Sequence, residues 1–283
     1  MASSLNLPLD LLLVRHGQSE ANVVADMFKR GDRSGSDALI AAGRHDGHVR
    51  LTDLGREQAS AVGRWVREHA GPLDRHFVSQ YIRTRETAAE MGLPKARWTL
   101  DLMIRERDQG LNEGRGSALV FTEQEQDEVE RHRRSKMYWA PLGGESLADV
   151  CLRARQFLNM LQAEASGMRV IVVCHHQVIN AFRLLLEDRP QKEYESVIDE
   201  HMPNCCIFWY TRRDADGSVH TRICSGRKIE VGLAGADTKV EEFPIERRLY
   251  SNDELLEQIQ HVPQLVNNTG VVLHAPEKAH ARL

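Results

Sequence analysis

The sequence predicts an α/β fold: a mainly parallel central sheet with helices on both faces and a polar cap insertion. Two short runs, Leu9 to Val14 and Arg169 to Val173, each carry four apolar residues in succession, Leu11 to Val14 and Val170 to Val173, as strands buried on both faces do. Stretches of helical periodicity alternate with strand-like runs, and that alternation implies parallel strands joined by helical crossovers. Both buried runs lead straight into histidine, His16 after the first and His175 after the second. Parallel sheets bind ligands at the carboxyl ends of their strands, so these two histidines are the first functional signal.

Taken in order, the first strand ends at Arg15-His16-Gly17, and Ser19 to Met27 continue as a helix. Gly31 to Arg50 is polar, glycine-containing and aperiodic, which predicts an exposed loop within an insertion over 26–50. Thr52 is an N-cap for a helix to about His69, with Leu54, Ala59, Val62, Trp65 and Val66 at helical spacing and Gly71-Pro72 as its stop. Phe77 to Ser79 is a brief strand, followed by a helix from Arg83 to Met91 that Gly92 and Pro94 close. Trp98 to Ile104 is the next strand. Phe121 to Met137, inside a cap region over 111–142, places acids first and bases last, the order that suits a solvated helix and its dipole.

Gly143-Gly144 breaks the chain, and Ser146 caps a helix to about Ala165. After the buried strand, Val178 to Glu187 is helical. Cys205 to Tyr210 and Ser218 to Cys224 are read as a hairpin around Asp216-Gly217. Beyond Gly226 the pattern weakens. The expected organisation is a main domain over 1–225 and a partly irregular extension over 226–283, with a short helix at Asn252 to Ile259 and loosely ordered residues from Leu265.

Composition narrows the function. The 283 residues are 41% hydrophobic, enough for a sizeable core, and no apolar run approaches the roughly 18 residues of a membrane span. Charge is near balance, 37 basic against 41 acidic residues, a net −4 that lacks the bulk electrostatics of a nucleic-acid binder. Any anion must then meet a local arginine cluster. The five cysteines, Cys151, Cys174, Cys205, Cys206 and Cys224, are odd in number and lack CxxC spacing, so zinc and a disulfide framework are poorly supported. Reduced thiols in the cytoplasm are the simpler expectation. The N-terminal stretch has no basic region and is interrupted by Asp10, so it reads as a strand and not a signal peptide.

Arg15-His16-Gly17 alone would be a weak signal. Four further motifs accompany it in order: Ser79-Gln80-Tyr81-Ile82-Arg83-Thr84-Arg85-Glu86-Thr87, Arg105-Glu106-Arg107-Asp108-Gln109-Gly110, Gly143-Gly144-Glu145-Ser146 and Val172-Val173-Cys174-His175-His176. Together with the helix start Leu51-Thr52-x-x-Gly55-x-x-Gln58-Ala59 they resemble the histidine phosphatase superfamily, the phosphoglycerate-mutase-like family, over roughly Asp10 to Tyr210.

The resemblance implies roles that chemistry makes sensible. His16 would be the nucleophile that becomes phosphohistidine, which requires a neutral attacking nitrogen while the other ring nitrogen donates to a backbone carbonyl. Arg15 and Arg83 would grip the phosphoryl oxygens, a task that suits the planar guanidinium fork. His175 would donate to the transferring group, as a cation when phosphate is bound. Glu106 would protonate the leaving alcohol and then serve as base towards water. Asp108 and Glu113 lie close enough in sequence to compete for that role. Asn22 is a further phosphate-contacting candidate, with a helix-bracing role as its alternative. No metal and no cofactor are implied.

Several of these residues also have structural roles open to them. Ser146 is an N-cap before it is a ligand, and Glu145 is open in the same way. Arg131, Arg133, Arg134 and Lys136 could meet a second anionic group or simply form a solvated face. His45 and His48 read as surface residues. The sequence also departs from the family, which usually has glycine after the second histidine. Here His176 and Gln177 follow, so His176 either crowds the pocket or adds a hydrogen-bonding group to substrate, and it competes with His175 for the phosphate. The 26–50 segment is long for the family and is expected near the mouth of the site.

Three functions follow. A phosphatase of the family leads, acting on a small phosphorylated substrate without nucleic acid or membrane. A cofactor-dependent phosphoglycerate mutase uses the same residues, but typical mutases have Leu-Asn-Glu-Arg-His-Tyr-Gly where this chain has Ile104-Arg105-Glu106-Arg107-Asp108-Gln109-Gly110. A non-catalytic binding module is the third. A homodimer is a family expectation.

Overall fold

The computed structural model describes residues 6–110, 132, 135–233, 237–266 and 268–271. The chain divides into two compact units, Met1–Glu246 and Arg247–Leu283. The first is built on a sheet of seven strands: β1 Asp10–Arg15, β2 Arg75–Ser79, β3 Trp98–Asp101, β4 Arg169–Cys174, β5 Ile207–Thr211, β6 Ser225–Glu230 and β7 Lys239–Pro244. Their order is β3-β2-β4-β1-β5-β6-β7. The four strands from β3 to β1 are parallel, and β5, β6 and β7 continue antiparallel.

The consecutive apolar residues of β1 and β4 are explained by a core on each face of the sheet. Leu11, Leu13, Val170 and Val172 pack with Val150, Ala154, Phe157 and Leu161 of one helix (Leu147–Glu164) and with Val178, Ile179 and Phe182 of another (His176–Leu186). Leu12, Val14, Ile171 and Val173 face the other way, against Ala59, Val62 and Val66 of the helix Asp53–His69 and Ala88 of the helix Ile82–Glu90. In chain order the helices are α1 Glu20–Lys29, α2 Ser34–Ala41, α3 Asp53–His69, α4 Ile82–Glu90, α5 Leu147–Glu164, α6 His176–Leu186, α7 Tyr194–Asp199 and α8 Asn252–Ile259. The caps agree with the sequence: Thr52 Oγ1 accepts from the Gly55 N–H at 3.1 Å, and Ser146 Oγ accepts from the Asp149 N–H at 3.1 Å. Among the described residues no helix is long and apolar enough to cross a membrane.

Several expectations are corrected. The 31–50 segment is not a plain loop: it contains α2 and a 3-10 turn at Asp46–His48. Small residues, Ser34, Gly35 and Ser36, let α2 lie close to α1, where a Cβ on Gly35 would sit 2.9 Å from a Val24 methyl. The strand from Trp98 ends at Asp101, because the Asp101 side chain accepts the Met103 N–H at 2.7 Å and winds Leu102–Ile104 into a 3-10 turn. Ser218 to Cys224 is not the partner of β5. That partner is β6, which begins at Ser225. β6 and β7 carry no strand pattern in the sequence because they are polar: only Gly226 and Ile229 of β6 are buried, and β7 is an exposed edge bearing Lys239, Glu241 and Glu242. Gly226 faces Phe243 across the ladder, and a Cβ there would lie 2.4 Å from the Phe243 ring. Most of the expected cap helix, and the residues after 271, lie outside the described residues. In the second unit α8 forms where expected, capped by Ser251, whose Oγ accepts from the Glu254 N–H at 3.2 Å.

The loop after β1 is fixed by glycine. A Cβ on Gly17 would sit 2.3 Å from the Gly55 carbonyl oxygen, and one on Gly55 would sit 2.0 Å from the Gln18 carbonyl oxygen. Backbone therefore packs on backbone where the start of α3 supports the His16 loop. Gly55→Ala is expected to destabilise the protein by about 1–3 kcal/mol through overpacking. Urea unfolding checks this, and an unchanged midpoint would contradict the close packing.

Candidate active site

The sheet register assembles the site. β1 and β4 pair so that Arg15 lies opposite Cys174, and the His16 N–H continues the ladder by donating to the Cys174 carbonyl at 3.1 Å. His16 and His175 thus emerge side by side, with ring centroids 5.3 Å apart. On the other side of β4, β2 ends at Ser79, whose Oγ lies 2.9 Å from His175 Nε2. The residues that follow, Tyr81 and Arg83, are carried over the same end of the sheet at the start of α4.

His16 is buried, and its Nδ1 lies 2.8 Å from the Gly17 carbonyl oxygen. A carbonyl can only accept, so Nδ1 carries the hydrogen and Nε2 keeps its lone pair. Burial, then Arg83 and Arg15, hold its pKa well below the usual histidine range. The His16 carbonyl accepts from the Cys205 N–H at 3.2 Å and from Asn204 Nδ2 at 3.0 Å. Gly17 N–H donates to Thr87 Oγ1 at 3.0 Å, which ties the loop to α4.

Two guanidinium groups flank the histidines. Arg15 donates to the Met202 carbonyl, and Arg83 is buried with its guanidinium 5.0 Å from the centroid of the Tyr81 ring. Arg83 also meets Asp46: NH1 donates to the Asp46 carbonyl at 2.6 Å and to Oδ1 at 3.1 Å, and NH2 donates to Oδ2 at 2.9 Å. The Nε atoms of both arginines are buried and have no hydrogen-bond partner among the described residues. His175 is fully buried, and burial followed by the Arg83 charge keeps it neutral, with a pKa well below the usual range. An arriving dianion would act in the opposite direction.

Glu106 follows the 3-10 turn after β3. Burial is the largest cause of its raised pKa, and the Asp46 charge adds to it, while the Arg107 N–H and Arg83 oppose it. The Arg107 N–H donates to Oε1 at 2.8 Å. The backbone here is held by Arg153 of α5. Its guanidinium donates to the carbonyls of Met103 at 2.6 Å, Arg105 at 2.8 Å and Glu106 at 3.2 Å, and to both Glu145 oxygens at 3.0 Å. Glu145 also accepts from Arg105 at 2.7 Å and from the Asp108 N–H at 3.0 Å. Glu145 is therefore a brace for the loop that carries Glu106.

Arg15, His16, Arg83, Glu106, Asn22 and His176 all line one cavity of about 520 Å³, and His175 packs buried against the His16 and Tyr81 rings. Asn22 does bracing work: its Oδ1 accepts from the Ser19 N–H at 3.0 Å and from Asn204 Nδ2 at 3.1 Å. Ser146 is the cap of α5. Asp108 lines the cavity, with Oδ1 taken by the Gly110 N–H at 2.7 Å, and Glu113 lies outside the described residues. Lys136 lines the cavity paired with Asp199, while Arg131, Arg133 and Arg134 lie outside the described residues. The 26–50 segment supplies Leu39, Arg44, His45, Asp46 and Val49 to the cavity wall. His45 is thus a wall residue as well as an exposed one. His176 is pushed down to about 3 by burial, then Arg15. Sequence reasoning missed Asp46, Asn204 and Arg153. Asp46 sits in an aperiodic segment, and nothing local marks the other two.

His16, His175 and His176 all have folded-state pKa values below the usual 6.5. Their contribution to stability is present above about pH 6.5 and is lost as pH falls, by about 1.4 kcal/mol per pH unit for each histidine that charges only on unfolding. Glu106 acts oppositely, since its raised pKa contributes stability that is lost as pH rises through the folded value. Three groups outweigh one. The urea midpoint is expected to fall between pH 7.5 and pH 5, and a flat profile would contradict the neutral histidines.

Comparison with known proteins supplies the family. The model of the histidine phosphatase superfamily (branch 1) matches residues 11–223. A protein of Methylocella silvestris named 2,3-bisphosphoglycerate-dependent phosphoglycerate mutase is 32% identical over 183 residues, covering 62% of this chain and 81% of its own. A Bradyrhizobium protein of the same name is 30% identical over 219 residues, covering 75% of this chain and 96% of its own. Among solved structures, a mycobacterial glucosyl-3-phosphoglycerate phosphatase complexed with VO3 superposes with a TM-score of 0.54 at 25% identity, covering 71% of this chain and 92% of its own. Bacillus stearothermophilus YhfR shares the fold, with a TM-score of 0.58 at 22% identity over 76% of this chain and 95% of its own. With its five motifs gathered at one end of the sheet, this chain belongs to the histidine phosphatase superfamily.

Proposed function

We propose that the chain is a metal-independent phosphatase that hydrolyses a phosphomonoester through a phosphohistidine on His16. The observation that carries this reading is the His16 tautomer. Nδ1 is committed to the Gly17 carbonyl, which leaves Nε2 as a nucleophile beside two arginines. In the first step Nε2 attacks phosphorus, the N–P bond forms and the ester P–O bond breaks. Glu106, whose proton is held by burial, gives it to the departing alkoxide. In the second step Glu106 takes a proton from water, whose oxygen bonds to phosphorus as the N–P bond breaks, returning the electron pair to His16 Nε2 and releasing inorganic phosphate. Arg15, Arg83 and His175 stabilise the charge on the transferring oxygens. His176 and Gln177 line the cavity, which supports a role for them in contacting substrate.

Support for the phosphatase over the mutase comes from the Arg105-Glu106-Arg107-Asp108-Gln109-Gly110 motif and from likeness to the mycobacterial phosphatase. The names of the curated relatives favour the mutase, which would return the phosphoryl group to a bound phosphoglycerate.

A chelator-treated assay over a phosphometabolite panel tests the reading, with 3-phosphoglycerate plus 2,3-bisphosphoglycerate included. Free phosphate from one substrate is expected. Interconversion of 3- and 2-phosphoglycerate with little phosphate release would establish the mutase instead. His16→Ala should lower kcat by at least about three orders of magnitude. Glu106→Gln should slow an alkyl phosphate by about 10²–10⁴-fold but p-nitrophenyl phosphate by less than about tenfold, because p-nitrophenolate needs little protonation. Equal slowing of both would remove Glu106 from the acid role.

A further inference from the structure

The geometry points to Asp46 as an internal competitor for the phosphoryl group, one whose carboxylate occupies Arg83 until an incoming anion displaces it. This rests on the reading above that Arg83 grips phosphoryl oxygens.

Both terminal nitrogens of Arg83 are engaged by Asp46, NH1 with Oδ1 at 3.1 Å and NH2 with Oδ2 at 2.9 Å. That is the two-point contact by which a guanidinium also takes a phosphoryl group. Substrate oxygens and the Asp46 carboxylate thus claim the same donors. The two partners are not equally fixed. The Arg83 side chain is 4% exposed, clamped against Tyr81 and rooted in α4, whereas Asp46 is 31% exposed and lies on the cavity wall. The aspartate, the more exposed of the two and carried on its 3-10 turn, is therefore the partner that gives way to an incoming anion. That turn is held independently, with the Gly47 N–H donating to His45 Nδ1 at 3.0 Å and Val49 buried behind it. The Asp46 charge is felt across the site, since it raises the proton affinity of both Glu106 and Tyr81.

The consequence is a lowered affinity for every anion that needs Arg83, the product phosphate included. Apparent affinity falls by the fraction of molecules in which Arg83 is free. When phosphate departs, the carboxylate closes on the arginine again, so the turn favours product release.

Asp46→Asn separates competition from positioning. The Asp46 backbone carbonyl accepts from Arg83 NH1 at 2.6 Å, and that contact survives the substitution while the charge is removed. The experiment is calorimetric titration of the full chain with inorganic phosphate, which does not depend on turnover, with Asp46→Ser as a second variant and thermal melting as the folding check. Asp46→Asn is expected to lower the phosphate Kd about tenfold, and Arg83→Met is expected to raise it. If Arg83→Met weakens phosphate but neither Asp46 variant tightens it, the competitor is overturned and the site reading stands. If Arg83→Met changes nothing, both fall.

Discussion

The parallel pairing of β1 with β4 is the interaction on which the rest depends. Their register sets Arg15 against Cys174, and one further ladder bond places His16 beside His175. Slipping β1 by one residue would turn Leu12 and Val14 towards the wrong helices and shift His16 away from its place beside His175. Because both faces of these strands are buried, the core that stabilises the fold also enforces the alignment of the site. Stability and chemistry share one constraint here, and the continuous run of valine and isoleucine in β4 is its signature.

A second constraint is charge. The centre of the site gathers two buried or half-buried guanidinium groups around histidines that burial keeps neutral. Such a cluster is costly without anions near it. The chain supplies one from outside the core, Asp46 from the 3-10 turn on Arg83, while burial favours the uncharged form of Glu106 nearby. Outside the cavity lining, Glu145 and Arg153 neutralise each other while bracing the loop that carries Glu106. The arrangement is preorganised, in that Arg15 and Arg83 are held by main-chain carbonyls before any ligand arrives.

The family likeness and the local chemistry fit together without being the same statement. Membership of the superfamily covers phosphatases and mutases and does not choose between them, because function is set by the site and not by the fold. The departures of this chain from the family pattern reach the wall of the cavity. In this chain that wall includes Asp46 and His45 from the 26–50 segment and His176 and Gln177 at the start of α6.

The sequence by itself determined the alternation of strands and helices, the positions of α1, α3, α4, α5 and α6 to within a few residues, and the central residues His16, Arg15, Arg83 and His175. The elements were legible because each depends on a local rule, continuous apolar runs for buried strands and capping residues for helix starts, and the four residues were marked as candidates by motifs that sit where strands end. The tertiary structure alone decided what depends on pairing between distant segments. β6 and β7 joined the sheet although only Gly226 and Ile229 of β6 are buried, because ladder hydrogen bonds need no apolar pattern. Asp46 met Arg83 across 37 residues, and Arg153 met the Glu106 carbonyl across 47. Asn204 reached the His16 carbonyl across 188. No periodicity records such contacts, since a single polar side chain in a loop reads the same whether it faces water or a buried guanidinium.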